Sequence, residues 1–183
     1  KKDINGCLFF SYKKPNLEKK FSKYSFPKNL DIEYTKADLI KYFNLNQDDR
    51  IINTPQVWGG SFFLRKCSTS KTLMKEHFNI TRNRYDLIDD DENKFVEKSL
   101  PGFIAHRHSQ SVLSILAKKI GCEFVSAYES EWALDENGHR TYKHLDKFPI
   151  IALRDKKKNL FLRFIDRQKK NYRRKISKIK SFF

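Results

Sequence analysis

Val57-Trp58-Gly59-Gly60-Ser61-Phe62-Phe63-Leu64-Arg65 carries the strongest fold signal in the chain. It is apolar, rich in aromatic residues and of strand length. Bulky aromatic side chains favour the pleated backbone, and two adjacent glycines disfavour a helix. The run predicts a buried strand in the middle of a sheet. Gly59-Gly60 interrupts it and marks a bulge or a place where something approaches the backbone closely.

Working outward, Asn5 to Tyr12 (NGCLFFSY) reads as a second short, aromatic-rich strand. Lys13 to Asp31 is basic and contains Pro15 and Pro27, which predicts a loop with a helical turn. Thr35-Lys36-Ala37-Asp38 has the spacing of a capping box, with Asp in the Glu position, and predicts a short helix from Lys36 to Phe43. Downstream, Ser70 to Phe78 reads as a helix and Tyr85 to Glu97 as an acidic loop with a helical turn. Ser111 to Ile120 carries Val112, Leu113, Ile115, Leu116 and Ile120 on one wide apolar face, the pattern of a helix packed on a sheet. Cys122 to Ser126 predicts a third strand. Strands alternating with helices predict an α/β layered fold, a mixed sheet with flanking helices. Three strands are few for a complete α/β enzyme.

The chain has 183 residues, with 39% hydrophobic and 14% aromatic residues, enough for one domain with a core and unlike a disordered chain. No apolar run approaches the length needed to cross a bilayer. The sequence begins Lys1-Lys2, and that start reads as an internal cut. Cys7, Cys67 and Cys122 lie far apart with no CxxC spacing, so a zinc site is not expected and three half-buried thiols are.

The net charge of +16 is unevenly placed. Thirteen Lys/Arg against two Asp between Arg154 and Phe183 account for +11, leaving +5 for residues 1–153. The division expected is therefore a main domain over 1–153 and a basic tail over 154–183. Within residues 159–183, Phe161, Ile165, Tyr172, Ile176, Ile179 and Phe183 recur at helical spacing among lysines and arginines. Such a basic amphipathic helix predicts contact with an anionic membrane surface. Its alternative is a helix docked on the domain by the same stripe. A nucleic-acid-binding protein is the competing reading of the charge, but the excess is confined to the tail and no nucleic-acid motif is found.

Two motifs carry candidate chemistry. In the first, Trp58, Gly59 and Gly60 stand at the mouth of the strand, where glycine lets a ligand reach the backbone. A simple sheet bulge explains the same residues. In the second, His106-Arg107-His108-Ser109-Gln110-Ser111 precedes a helix. Arg107 suits a phosphate, Ser109 could cap the helix, and His106, His108 and Gln110 are candidate catalytic groups. The plainer alternative is a loop in which His and Arg bond neighbouring carbonyls. Asp89-Asp90-Asp91-Glu92 contains an Asp-x-Asp, yet it sits in a polar loop, so no metal ligands are assigned to it. Asp90 remains a candidate for lining an acceptor pocket.

Taken in order, Glu33 to Asp38, Thr54 to Arg65, Tyr85 to Asp90 and His106 to Ser111 resemble a group of bacterial GT-A-like glycosyltransferases linked to lipopolysaccharide and capsule assembly. The resemblance spans roughly Asn5 to Trp132 and rests on collinear motifs. It implies a partial GT-A-like, Rossmann-like sheet, a nucleotide-sugar donor, and a saccharide or lipid-linked acceptor. It implies a Mn or Mg ion bound mainly by a nucleotide-gripping segment that these residues do not include. It also implies a cytoplasmic protein, peripheral on the inner face of the plasma membrane. The family pattern carries Asp before the Gln, where this chain has Ser109. An inactive remnant of such an enzyme is therefore the further alternative.

Overall fold

The computed structural model describes residues 6–15, 24–89, 93–94, 96 and 98–145. The expected tail, 154–183, and Asp90 lie outside the described residues. The elements are β1 (Cys7–Ser11), α1 (Asp31–Tyr34), α2 (Ala37–Tyr42), β2 (Val57–Leu64), α3 (Ser68–Asn83), α4 (His108–Ile120), β3 (Glu123–Ser126), β4 (Ala133–Leu134) and β5 (Arg140–Thr141). Single 3-10 turns stand at Tyr85–Leu87, Ala127–Glu129 and Lys143–Leu145. The fold is mixed α/β with a mixed sheet.

The three-stranded sheet has the order β2-β1-β3. β1 pairs antiparallel with β2, Phe9 opposite Phe62, and parallel with β3, Phe9 opposite Phe124. The central strand is thus β1, not the Val57–Leu64 strand. The reason is burial. Cys7, Phe9, Phe10 and Ser11 are all buried, so β1 is covered on both faces, whereas Phe62 and Phe63 on β2 remain 39% and 50% exposed. An apolar run therefore marked a strand correctly but not its rank in the sheet. The pairing of β1 with β2 shifts between Phe9 and Ser11, so Trp58 to Ser61 loop out as a bulge around Gly59-Gly60. An ideal Cβ on Gly60 would lie 2.2 Å from the Trp58 ring, so the glycine is also a site of close approach.

The main core lies between the sheet and the helices, where Phe9, Val57, Leu39, Leu73, Val112 and Ile115 pack together. α3 and α4 cover that face. The other face carries a smaller cluster of Phe10, Trp58 and Ala127, with Tyr12 and Val125 against it. α4 ends as its sequence demands. Gly121 takes φ 78°, and the Cys122 N–H bonds the Ala117 carbonyl, closing the last turn before β3.

Several local expectations change. α3 runs from Ser68 to Asn83, longer than the Ser70 to Phe78 expectation, because only Ser70, Leu73 and Ile80 are buried and the ends carry little apolar pattern. Thr35 caps nothing: α2 starts after Lys36, and the Asp38 carboxylate accepts instead from the Lys94 N–H. Ser109 does not cap α4 either, which begins at His108. The hairpin β4–β5 is not anticipated by any apolar run. Its two-residue strands are joined through Asn137-Gly138, with the Asp135 carboxylate accepting from the N–H groups of Asn137 and His139. Among the described residues no helix is long and apolar enough to cross a membrane.

Candidate functional site

Gln56 is the hub. It immediately precedes β2 and is fully buried. Its backbone is fixed on both sides, the N–H donating to Asn29 O (2.7 Å) and the carbonyl accepting from Tyr12 N (2.9 Å). Its side-chain oxygen accepts from Arg107 Nη1 (3.2 Å) and Gln110 Nε2 (3.1 Å), and its own amide donates to Ser111 Oγ (3.2 Å). One buried amide therefore ties the end of β1 to the first turn of α4. A buried Gln left without such partners would be costly.

Arg107 is held over two rings. Its guanidinium carbon lies 3.6 Å from the Tyr34 ring centroid and 5.2 Å from that of Tyr12. Its backbone N–H donates to Tyr34 O (3.2 Å), and Ile104 N donates to Glu33 O (2.8 Å). The extended 103–107 segment is thereby laid against α1, which aims the guanidinium back across the carboxyl end of β1. Among the described residues no carboxylate pairs with Arg107. Cation–π contact and one amide oxygen leave most of its five donors available. Gly59 faces the same place, since an ideal Cβ there would sit 3.4 Å from Gln110 Cγ. Gly59, Arg107 and Gln110 thus come together, joined by Gln56, Tyr12 and Tyr34, which the motif reading did not assign.

His106 and His108 turn elsewhere. The His106 Nδ1 accepts from Lys36 N–H (3.2 Å), and its Nε2–H donates to Leu87 O (3.0 Å). These two bonds define a neutral tautomer that clips the 87–88 turn to the start of α2. His108 has φ 50° and donates from Nδ1 to Ile88 O (2.8 Å). The two rings meet edge to face at 5.8 Å. Trp58 packs its ring on Phe10 and against Gly60, on the second face of the sheet. Ser109 lends its carbonyl to His77 Nε2 (3.2 Å).

Asp89 is committed to Lys36, 2.6 Å away and almost fully buried, with Lys94 at 3.9 Å. Among the described residues no three His, Cys, Asp or Glu converge as metal ligands. The described residues therefore do not make a site for the divalent ion that the resemblance implies.

A second buried ion pair underpins the site. Asp31, at the start of α1, accepts from Lys118 Nζ and from Ser114 Oγ (2.7 Å), both on α4. Lys118 also donates to the carbonyls of Ile51 (3.1 Å) and Thr54 (3.2 Å). Burial pushes the Asp31 carboxyl above its ordinary value and the Lys118 ammonium below its own, each opposed by the other's charge. The pair locks α1, the approach to β2 and α4 into one unit. Sequence offers little sign of it, because Lys118 reads as a surface lysine in the last turn of a helix.

No family model matches the chain, and neither a curated protein nor a solved structure matches it. What the structure establishes is a mixed α/β protein in which Arg107, Gly59 and Gln110 gather beyond the carboxyl end of the central strand.

Proposed function

We propose that this chain is a sugar-nucleotide-dependent glycosyltransferase, and that Arg107 receives a phosphate of the donor. The observation that carries the reading is the Arg107 guanidinium itself. It is stacked on Tyr34, steadied by Gln56 and unpaired with any described carboxylate. A guanidinium in a fixed plane matches two phosphate oxygens at once. Three features support the assignment. Arg107 lies beyond the carboxyl end of β1, where open α/β sheets accept ligands. The first turn of α4 adds a positive helix terminus. Gly59 presents backbone without a side chain to the same space.

In this reading Arg107 neutralises charge on the leaving diphosphate, and Gln110 orients the donor. Trp58 and Gly60 shape the strand behind Gly59. His106 and His108 hold the 87–88 turn to the segment that carries Arg107. The acceptor is a saccharide, in keeping with the family that the motifs resemble.

The test is binding of a panel of nucleoside diphosphates and nucleotide sugars by the 183-residue chain, followed by calorimetry. At least one donor class binds, and Arg107→Met removes the binding while the melting temperature stays close to the parent's. Failure of every panel member to bind, or equal binding by Arg107→Met, refutes the proposal.

A further inference from the structure

The three cysteines, scattered in sequence, gather at the amino end of β1. This is the end opposite Arg107. β1 and β3 run parallel with Leu8 against Glu123, so one residue earlier Cys7 lies against Cys122. Both thiols are buried in the main core. On the other side of β1 the Arg65 N–H donates to Gly6 O (2.8 Å), which brings the start of α3 over Gly6. Cys67 then caps that 16-residue helix, its N–H donating to Ser70 Oγ (3.1 Å), with its Sγ 3.6 Å from the same oxygen. Gly6 has φ +78°, and an ideal Cβ on it would lie 2.3 Å from Cys67 Sγ. The sulfur thus occupies the space a side chain at position 6 would fill, next to Cys7 in the chain.

We propose that Cys67 is a peroxide-reactive thiol and that Cys7 resolves its oxidised form into a Cys7–Cys67 disulfide. The geometry separates the roles. Cys67 is partly exposed, whereas Cys7 and Cys122 are buried. The helix terminus and the Ser70 hydrogen bonds hold the Cys67 thiol below its ordinary value, the direction that favours thiolate. Burial pushes the other two up, Cys122 to about 12, so neither meets peroxide first. In the first step the Cys67 thiolate attacks a peroxide oxygen. The O–O bond breaks, a sulfenic acid forms, and alkoxide or hydroxide leaves and takes up a proton. In the second step the Cys7 sulfur attacks the Cys67 sulfur. The S–O bond breaks, and the departing hydroxide leaves as water with the Cys7 proton. Two thiols are oxidised by two electrons and one peroxide is reduced.

The experiment treats the reduced 183-residue chain with hydrogen peroxide, alkylates it, digests it without reductant and maps the peptides by mass spectrometry. A Cys7–Cys67 cross-linked peptide is expected, absent in Cys67→Ser and retained in Cys122→Ser. Cys67 ending as sulfinic acid with Cys7 still alkylated overturns the proposal. So does a Cys7–Cys122 link that forms in Cys67→Ser as fast as in the parent. A second measurement needs no variant. Limiting iodoacetamide on the folded, reduced parent labels Cys67 about tenfold faster than the buried pair. Equal labelling of all three thiols overturns the assignment of Cys67 as the reactive one.

Discussion

Lys118→Met removes a charge that the fold has buried against Asp31, and the consequence can be worked through. Methionine keeps the length and apolar stem of the side chain, so packing of α4 changes little. What is lost is the ammonium that meets Asp31 and the carbonyls of Ile51 and Thr54. Asp31 is fully buried and retains Ser114 Oγ as a donor. Breaking one side of a buried pair typically costs about 3–5 kcal/mol, a large share of the roughly 5–15 kcal/mol that holds a domain. At roughly 2–4 °C per kcal/mol for a chain of this size, the melting temperature falls by about 6–20 °C. The loss depends on pH in a definite direction. Burial already raises the Asp31 carboxyl in the parent, and removing Lys118 takes away its main opposing charge. A carboxyl raised in the folded state is least costly at low pH, where it is protonated both folded and unfolded. Its penalty grows as pH rises above the unfolded value of about 3.9, by up to about 1.4 kcal/mol per unit, and levels off above the folded value. The variant is therefore closest to the parent near pH 4 and furthest from it at neutral pH. Asp31→Asn combined with Lys118→Met recovers much of the loss at pH 7. Urea titrations at several pH values measure all of this. A Lys118→Met penalty below about 1 kcal/mol that does not change with pH refutes the reasoning.

Other outcomes follow from single contacts. Gly60→Ala forces the Trp58 ring off Phe10, because the new Cβ would sit 2.2 Å from it; a loss of about 1–3 kcal/mol and a changed tryptophan fluorescence spectrum are expected. Gly59→Ala meets Gln110 only at ordinary contact distance, so it leaves stability nearly unchanged and weakens donor binding in calorimetry. Arg107→Lys keeps the charge but loses the planar fork and the Tyr34 stack, which lowers nucleoside-diphosphate affinity about tenfold, roughly 1.4 kcal/mol. A chain ending at Lys158 sediments less with anionic vesicles than the intact chain, and neither sediments with neutral ones; equal sedimentation of both chains would sink the membrane reading of residues 159–183.

The elements were legible because their signals are local. Cys7–Ser11 and Val57–Leu64 are short aromatic runs, and α4 shows its apolar face together with Gly121 at its end. The Gly59-Gly60 bulge was readable for the same reason, since two glycines inside a strand rarely serve pairing. The site was half legible. Arg107, Gln110 and Gly59 stood out by residue type, and they do meet. Gln56 did not stand out, because a single amide beside an apolar run looks like any other polar residue. Its importance comes from three partners, all of them more than fifty positions away. His106 is the converse case. Its type suggested chemistry, yet its two ring nitrogens bond Lys36 N and Leu87 O, which no local pattern announces.

The class of fold, the positions of the main strands and helices, and the concentration of charge after Arg154 are all written locally in the chain, because apolar period, glycine placement and composition act over a few residues. That β1 is the central strand, that Lys118 is buried on Asp31, that Arg107 stacks on Tyr34, and that Cys7, Cys67 and Cys122 gather at one end of the sheet is set by tertiary packing. Each of these depends on which distant segments are brought side by side. That choice is made by the burial of whole faces against one another, and a residue's own neighbours in the chain carry no record of it.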